Sequence, residues 1–356
     1  MNTVTKVSVG LAMLGIFALP SALRAEDITV KSSAGEFNKV GAAGAQFLKI
    51  GAGARATGMA GAFTAIANDP TALYWNVAGI SDIKSLSASV QYTQWFAGFS
   101  HSFASCVVPI GQNYRGGLSF VSFNSGNIPI TTLDAEKGTR GTYSVGDFAV
   151  AASFGGYITQ QFAFGATLRY NANTFGTLSS DGVSFDLGTL YRSGYKGMSF
   201  GFSIQNLGGM QNYSGQDLNT SIKIVDQLNA SKVQTQMLTN PHNLPLTFRA
   251  GAAFDVMSII NGVENTPDGA DDKLTAAVDF VTLSDTPEQF AIGAEYTFMN
   301  LISARAGYRM GHDSFGLAGG IGLQYISGDF NGQIDYSINP VVNIGLVNRI
   351  GLTMKF

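Results

Sequence analysis

The sequence predicts an all-β protein, about fourteen antiparallel strands closed into a transmembrane barrel. Three observations predict it. From about residue 85 to the last, apolar and polar residues alternate in pieces near ten residues long, separated by turn residues. Glycine supplies 44 of the 356 residues while charged residues make up only 13%, far from the roughly 25% charge of a soluble domain. The chain also opens on an export pattern. A soluble β-sandwich alternates too, but the export signal, the aromatic ends of the apolar rows and the number of segments all disfavour it.

The elements follow in order. Residues 1–25 read as a secretory signal: Lys6 ahead of the apolar run 7–19, then Pro20, with Ala25 as the small residue before Glu26-Asp27. The run is too short for a membrane anchor, which needs about 20 apolar residues. Cleavage after Ala25 leaves a net charge near −5. Residues 26–84 form a lead before the barrel, which occupies 85–356. Strands are expected near 86–96, 99–109, 115–124, 144–155, 161–173, 181–193, 197–207, 245–257, 273–283, 288–298, 301–311, 314–326, 329–339 and 343–356. The count is even, as closure of an up-and-down barrel requires when lipid offers no partner to an open edge. The long connections 125–143 and 208–244 then fall on one side. The stretch 258–272 is also long but falls on the other, so either a strand boundary lies elsewhere or that turn carries a feature of its own. Within 208–244, the spacing of Ile222, Ile224, Val225, Leu228, Val233, Met237 and Leu238 predicts one face of a short helix. The final alternating strand ends in Phe356, which resembles the recognition signal of the barrel assembly machinery.

The polar rows carry Asp147, Arg169, Asp186, Arg192, Arg249, Asp255, Asp279, Glu295, Arg305, Arg309, Asp335, Arg349 and Lys355. Charges on the outer face would cost roughly 2–4 kcal/mol each for Arg or Lys at the bilayer midplane, so this row is expected to face the lumen. Six acidic and seven basic members suggest a buried, hydrogen-bonded ladder, structural before anything else, with a binding channel for a polar solute as the alternative. No chemistry-bearing motif emerges. Gly51–Gly53 and Gly58–Gly61 lack phosphate-loop spacing. The acidic run 265–272 lacks the calcium-loop pattern. The single Cys106 and the scattered His101, His242 and His312 have no metal-ligand spacing. The near-neutral charge excludes a nucleic-acid partner. No catalytic, cofactor or metal site is expected, and the chain is not read as an enzyme.

The lead contains a long specific motif: Phe47-Leu48-Lys49-Ile50-Gly51-Ala52-Gly53-Ala54-Arg55-Ala56, then Met59-Ala60-Gly61-Ala62-Phe63, then Asn68-Asp69-Pro70-Thr71-Ala72-Leu73-Tyr74-Trp75-Asn76-Val77-Ala78-Gly79. It resembles the opening of the PorV/PorQ family of outer-membrane proteins and, more distantly, the hatch of FadL-type channels. It departs at Asn68, where the family has Asp, and at Val77, where it has a proline that would stiffen the turn. The resemblance implies a 14-stranded FadL-like barrel holding an amino-terminal plug built on Phe47, Phe63, Asp69, Tyr74, Trp75, Asn76 and Gly79. It also implies an outer-membrane location, with membrane lipid and the barrel assembly machinery as partners. In function it implies a non-enzymatic component of type IX-type secretion or surface attachment, docking a translocon or its cargo. The alternative is a FadL-type channel for hydrophobic small molecules. A purely structural barrel is a third reading.

Overall fold

The computed structural model describes residues 43–139, 141–223, 232–264, 266, 271–327, 330–342 and 344–356. The expected signal peptide and most of the acidic run 265–272 lie outside them. Fourteen strands form the barrel: β1 (Ser87–Gln94), β2 (Ser100–Ile110), β3 (Tyr114–Asn124), β4 (Val145–Tyr157), β5 (Phe162–Phe175), β6 (Leu178–Arg192), β7 (Ser199–Gly208), β8 (Thr247–Asp255), β9 (Asp272–Leu283), β10 (Gln289–Phe298), β11 (Ile302–Met310), β12 (Leu317–Ser327), β13 (Phe330–Val341) and β14 (Gly345–Lys355). Each pairs antiparallel with its sequence neighbours, and β1 pairs with β14, from Ser87 opposite Lys355 to Gln94 opposite Asn348. Closure leaves none of these fourteen strands with an unpaired edge.

Period-two alternation sets the two faces. Outward rows expose Leu118 at 64%, Ile321 at 58% and Leu346 at 55%, an apolar surface that would aggregate in water. Aromatic pairs ring both ends. Tyr114 stacks on Phe154 (5.3 Å) and Phe330 meets Phe356 (5.7 Å) at the end with short turns. At the long-loop end, Phe148 meets Tyr170 (6.3 Å) and Phe280 meets Phe290 (5.1 Å). Such girdles belong at a membrane interface. Cys106 lies on an outward row, half-exposed between the buried Ser105 and Val107.

The anomalous stretch after β8 carries its own feature. The strand stops at Asp255, whose Oδ1 accepts from the amides of Met257 (3.0 Å) and Ser258 (3.4 Å) and so caps helix Val256–Ile260. Lys196 Nζ from the β6–β7 turn donates to the Ser258 and Val263 carbonyls (3.2 and 2.7 Å).

The helix expected within 208–244 is not formed where the residues are described. Asn219–Lys223 pairs antiparallel with Lys232–Gln236, placing Ile222 opposite Val233. The apolar spacing is met across a hairpin rather than along a helix face. Ile224, Val225 and Leu228 lie outside the described residues; Met237 and Leu238 follow the hairpin, Leu238 almost fully exposed.

Candidate functional site

Residues 44–83 pack against the inward rows of the wall as short pieces: Gln46–Lys49 and Val77–Asp82 as 3-10 turns, Ala54–Gly58 and Ala72–Trp75 as single α-turns. None could hold its shape alone, since isolated helices this short do not form in water. What fixes them is burial. Phe47, Met59, Phe63, Leu73, Tyr74, Trp75 and Ile80 join the inward Phe103, Val107 and Val121 in one apolar core. Trp75 packs edge-on against Tyr74 (5.1 Å) and Phe63 (6.2 Å), and its Nε1 donates to the Ala52 carbonyl (2.7 Å). Tyr74 Oη donates to Leu48 O (3.1 Å).

The bend at Val77–Gly79 forms without proline. Asn76, fully buried, accepts from the Ala78 amide (3.2 Å) and donates to Thr64 O (2.9 Å) and Thr189 O (3.1 Å). Gly79 fits because an added Cβ would overlap the Ala67 carbonyl oxygen. A wider pattern accompanies it. Inward-row glycines of six strands, Gly165, Gly188, Gly201, Gly251, Gly293 and Gly307, each touch the segment so closely that a Cβ would meet Val77, Asn76, Thr64 or Met59. This belt accounts for part of the glycine excess, because only a wall without side chains leaves room for a folded segment.

The inward charges divide into two groups. Toward the short-turn end they pair. Arg55 of the segment holds Glu295 through Nε and Nη2 (both 2.8 Å) and Asp69 through Nη1 (2.9 Å). Arg305 bridges Glu295 and Asp335 (2.6 Å each). Asp69 also accepts from the Thr71 amide (2.9 Å). Burial works against the Arg55 charge, and Glu295, then Asp69, overcome it and hold the guanidinium protonated above its ordinary range. Arg192 and Tyr157 both bind Asp82. Arg169 pairs with Asp186 (2.5 Å) and Asn206 (2.6 Å) where β6 and β7 part at a bulge. Asp147 accepts from Asn173 (3.0 Å). Asp279, without exposure, accepts from the amides of Phe63 (3.1 Å) and Thr64 (2.9 Å) and from Thr64 Oγ1 (2.5 Å).

Toward the long-loop end three arginines stand apart. Arg249, Arg309 and Arg349 form no ion pair among the described residues. Arg249 lies over the Trp75 ring (4.8 Å) and reaches Gln205 (3.3 Å). Arg309 donates through Nε and Nη2 to Ala60 O (2.9 and 2.6 Å). Arg349 binds Asn339, lies 5.8 Å from the Trp95 ring, and keeps a buried Nε without a partner.

Arg309 and Arg349 floor a cavity of about 250 Å³. Its walls are Ile50 of the segment, Trp95 and Phe96 after β1, Phe315 before β12, and Val341 and Ile344 around the β13–β14 turn. Trp95 meets Phe315 at 5.8 Å. His312 also lines it: its Nδ1 accepts from the amides of Ser314 (3.1 Å) and Phe315 (3.2 Å), and burial, then the Arg309 charge, lower its pKa to about 4. It is therefore neutral at pH 7 with Nε2–H as donor. A second cavity, about 330 Å³ and polar, lies at the short-turn end around Arg55, Lys273, Glu295 and Lys355. The buried Met59, Phe63 and Trp75 belong to the segment between them. Sequence reasoning missed Arg55 and the cavity's aromatic walls; the walls come from three connections that adjoin only because β1 closes on β14.

Burial of the segment yields a direct expectation. Trypsin should leave the Arg55 bond intact in the folded protein and cut it once heat has unfolded the barrel. Cleavage at Arg55 before unfolding would contradict an internal segment.

No family model matches the chain, and no curated protein sequence matches it. Among solved structures it is similar to the P. putida toluene transporter TodX, with a TM-score of 0.52 and 12% identity over 85% of this chain and 98% of that one. It is also similar to the TodX deltaS2S3 mutant monoaromatic hydrocarbon channel, TM-score 0.50 and 12% identity over 82% and 97% of the two chains. A FadL homologue from Pseudomonas aeruginosa aligns with TM-score 0.48 and 13% identity over 85% and 96%. At such identities the likeness is one of fold: a closed, 14-stranded antiparallel barrel.

Proposed function

We propose that this chain is an outer-membrane barrel that admits small, mainly hydrophobic molecules from its long-loop end, with residues 44–83 acting as the plug. The observation that carries this reading is the cavity walled by Trp95, Phe96, Phe315, Val341 and Ile344. Ligand sites are concave, mostly apolar and furnished with a few polar groups, and this one meets all three conditions. The fold shared with a toluene transporter supports it, as does the apolar, aromatic-girdled exterior. The chemistry is carriage rather than conversion. In intact cells, the chain should speed accumulation of radiolabelled toluene, and Ile344→Trp, which narrows the mouth from an exposed connection, should cut that rate at least fivefold. Accumulation indifferent to both the protein and the substitution would defeat the reading.

A second reading, docking of a secretion translocon or its cargo, rests on the opening motif's resemblance and on one structural feature. The hairpin Asn219–Lys223/Lys232–Gln236 and the residues after it present Ile222, Val233, Met237 and Leu238 to solvent. Loops beyond about 12–15 residues are usually functional or disordered. Replacing 209–246 by a short turn separates the readings. On the proposed function the barrel still folds, and toluene accumulation persists or rises. Loss of co-purifying secretion partners with no change in accumulation would favour docking instead.

A further inference from the structure

The long-loop cavity is chemically lopsided. Its walls are aromatic and branched apolar side chains, yet its floor holds two guanidinium groups and its lining contains no Asp or Glu among the described residues. Elsewhere in the lumen Arg55, Arg169, Arg192 and Arg305 each have a carboxylate. Lys49, the remaining cation of the lining, is paired with Asp285 (2.9 Å). Arg309 and Arg349 have none among the described residues, although arginine keeps its charge in any protein environment. Arg349 is 5% exposed and its Nε has no hydrogen-bond partner. Arg309 spends Nε and Nη2 on Ala60 O, leaving Nη1 without a hydrogen bond among the described residues. A buried Arg349 beside a half-buried Arg309, neither with a counter-charge among the described residues, is unfavourable, and the fork of an arginine matches a carboxylate.

We infer that this cavity takes a compact aromatic monocarboxylate, its carboxylate seated on Arg309 and Arg349 and its ring among Trp95, Phe96 and Phe315. The inference rests on the proposed function and narrows it from hydrophobic molecules in general to anions with an apolar body. Size agrees. An apolar cavity of about 150 Å³ already holds benzene, so about 250 Å³ accommodates a ring, its carboxylate and a few further atoms, and excludes a long extended chain. His312, whose Nδ1 is taken by the Ser314 and Phe315 amides, leaves its Nε2–H as a further donor in the lining.

The test is isothermal titration of the full chain in detergent with benzoate, its neutral isostere benzamide, toluene and inorganic phosphate. Benzoate should bind at least tenfold more tightly than benzamide or toluene, a comparison that requires no variant. Arg349→Gln should weaken benzoate at least tenfold while leaving toluene within twofold; Arg309→Gln provides the same comparison if the first variant does not fold. Toluene or benzamide binding as tightly as benzoate overturns the inference and leaves the proposed function standing. Binding of none of the three organic compounds overturns both. Phosphate binding more tightly than benzoate overturns it in favour of a lipid headgroup.

Discussion

Arg305→Leu is expected to destabilise the folded barrel by roughly 3–5 kcal/mol, the usual effect of removing one partner from a buried ion pair. The Arg305 side chain is 1% exposed and joins Glu295 to Asp335 at 2.6 Å each. Leucine would leave Asp335 with only the Gln333 amide (2.9 Å) and Glu295 with Arg55 alone. The damage should spread to the segment, because Glu295 is also the wall's hold on Arg55. On a gel, the heat-modifiable band should convert at a markedly lower temperature, and trypsin should begin to cut at Arg55 before the barrel opens. Arg305→Lys should recover part of the loss, since a lysine restores charge but not the fork. An unchanged conversion temperature for the leucine variant would show that the pairs do not hold the segment.

The paired variant Gly188→Leu/Gly307→Leu should be at least as harmful. A Cβ at either position would run into the segment, at Asn76 Oδ1 for Gly188 and at the Met59 backbone for Gly307. Overpacking a filled interior costs typically about 1–3 kcal/mol per site and more where backbone must shift. Here the segment has little room to yield, so the expected result is a barrel that assembles poorly or expels residues 44–83 to protease. Gly146→Leu is the control: nothing lies within 4 Å of its Cβ position, so its effect should stay within about 0.5 kcal/mol. Equal behaviour of the control and the pair would mean that glycine depletion, rather than contact with the segment, is the cause.

Much of the barrel is legible in the sequence because the rule that writes it is local. Alternation in residues 162–171 or 329–339 fixes which side chains face lipid whatever the rest of the chain does, and β5 and β13 follow it. The lumen is written less locally. Counting six acids against seven bases suggests one balanced ladder, whereas the structure separates paired charges near Arg305 from Arg249, Arg309 and Arg349, which have no ion pair among the described residues. Sign alone cannot show this, because pairing depends on register between strands far apart in sequence. Trp95, Phe315 and Ile344 fall at the ends of the expected strands 86–96, 314–326 and 343–356, whereas the structure places each in a connection, because alternation alone does not mark where a strand gives way to its turn. The inward glycines carry a further signal. Glycines at Gly165, Gly188, Gly201, Gly293 and Gly307 all fall on inward rows, where a barrel filled only by its own side chains has no need of them. The hairpin Asn219–Lys223/Lys232–Gln236 is not legible from spacing, because Ile222 and Val233 suit either a helix face or a cross-strand pair.

Occupation of the lumen behind the long loops by a small apolar molecule is the central expectation. Crystals of the full chain soaked in bromobenzene provide the most direct measurement, since bromine is located by its anomalous signal. A peak between Trp95, Phe315 and Ile344, above Arg309 and Arg349, is the result predicted here. A cavity without a peak, with bromine found only on the outward apolar rows, would contradict it.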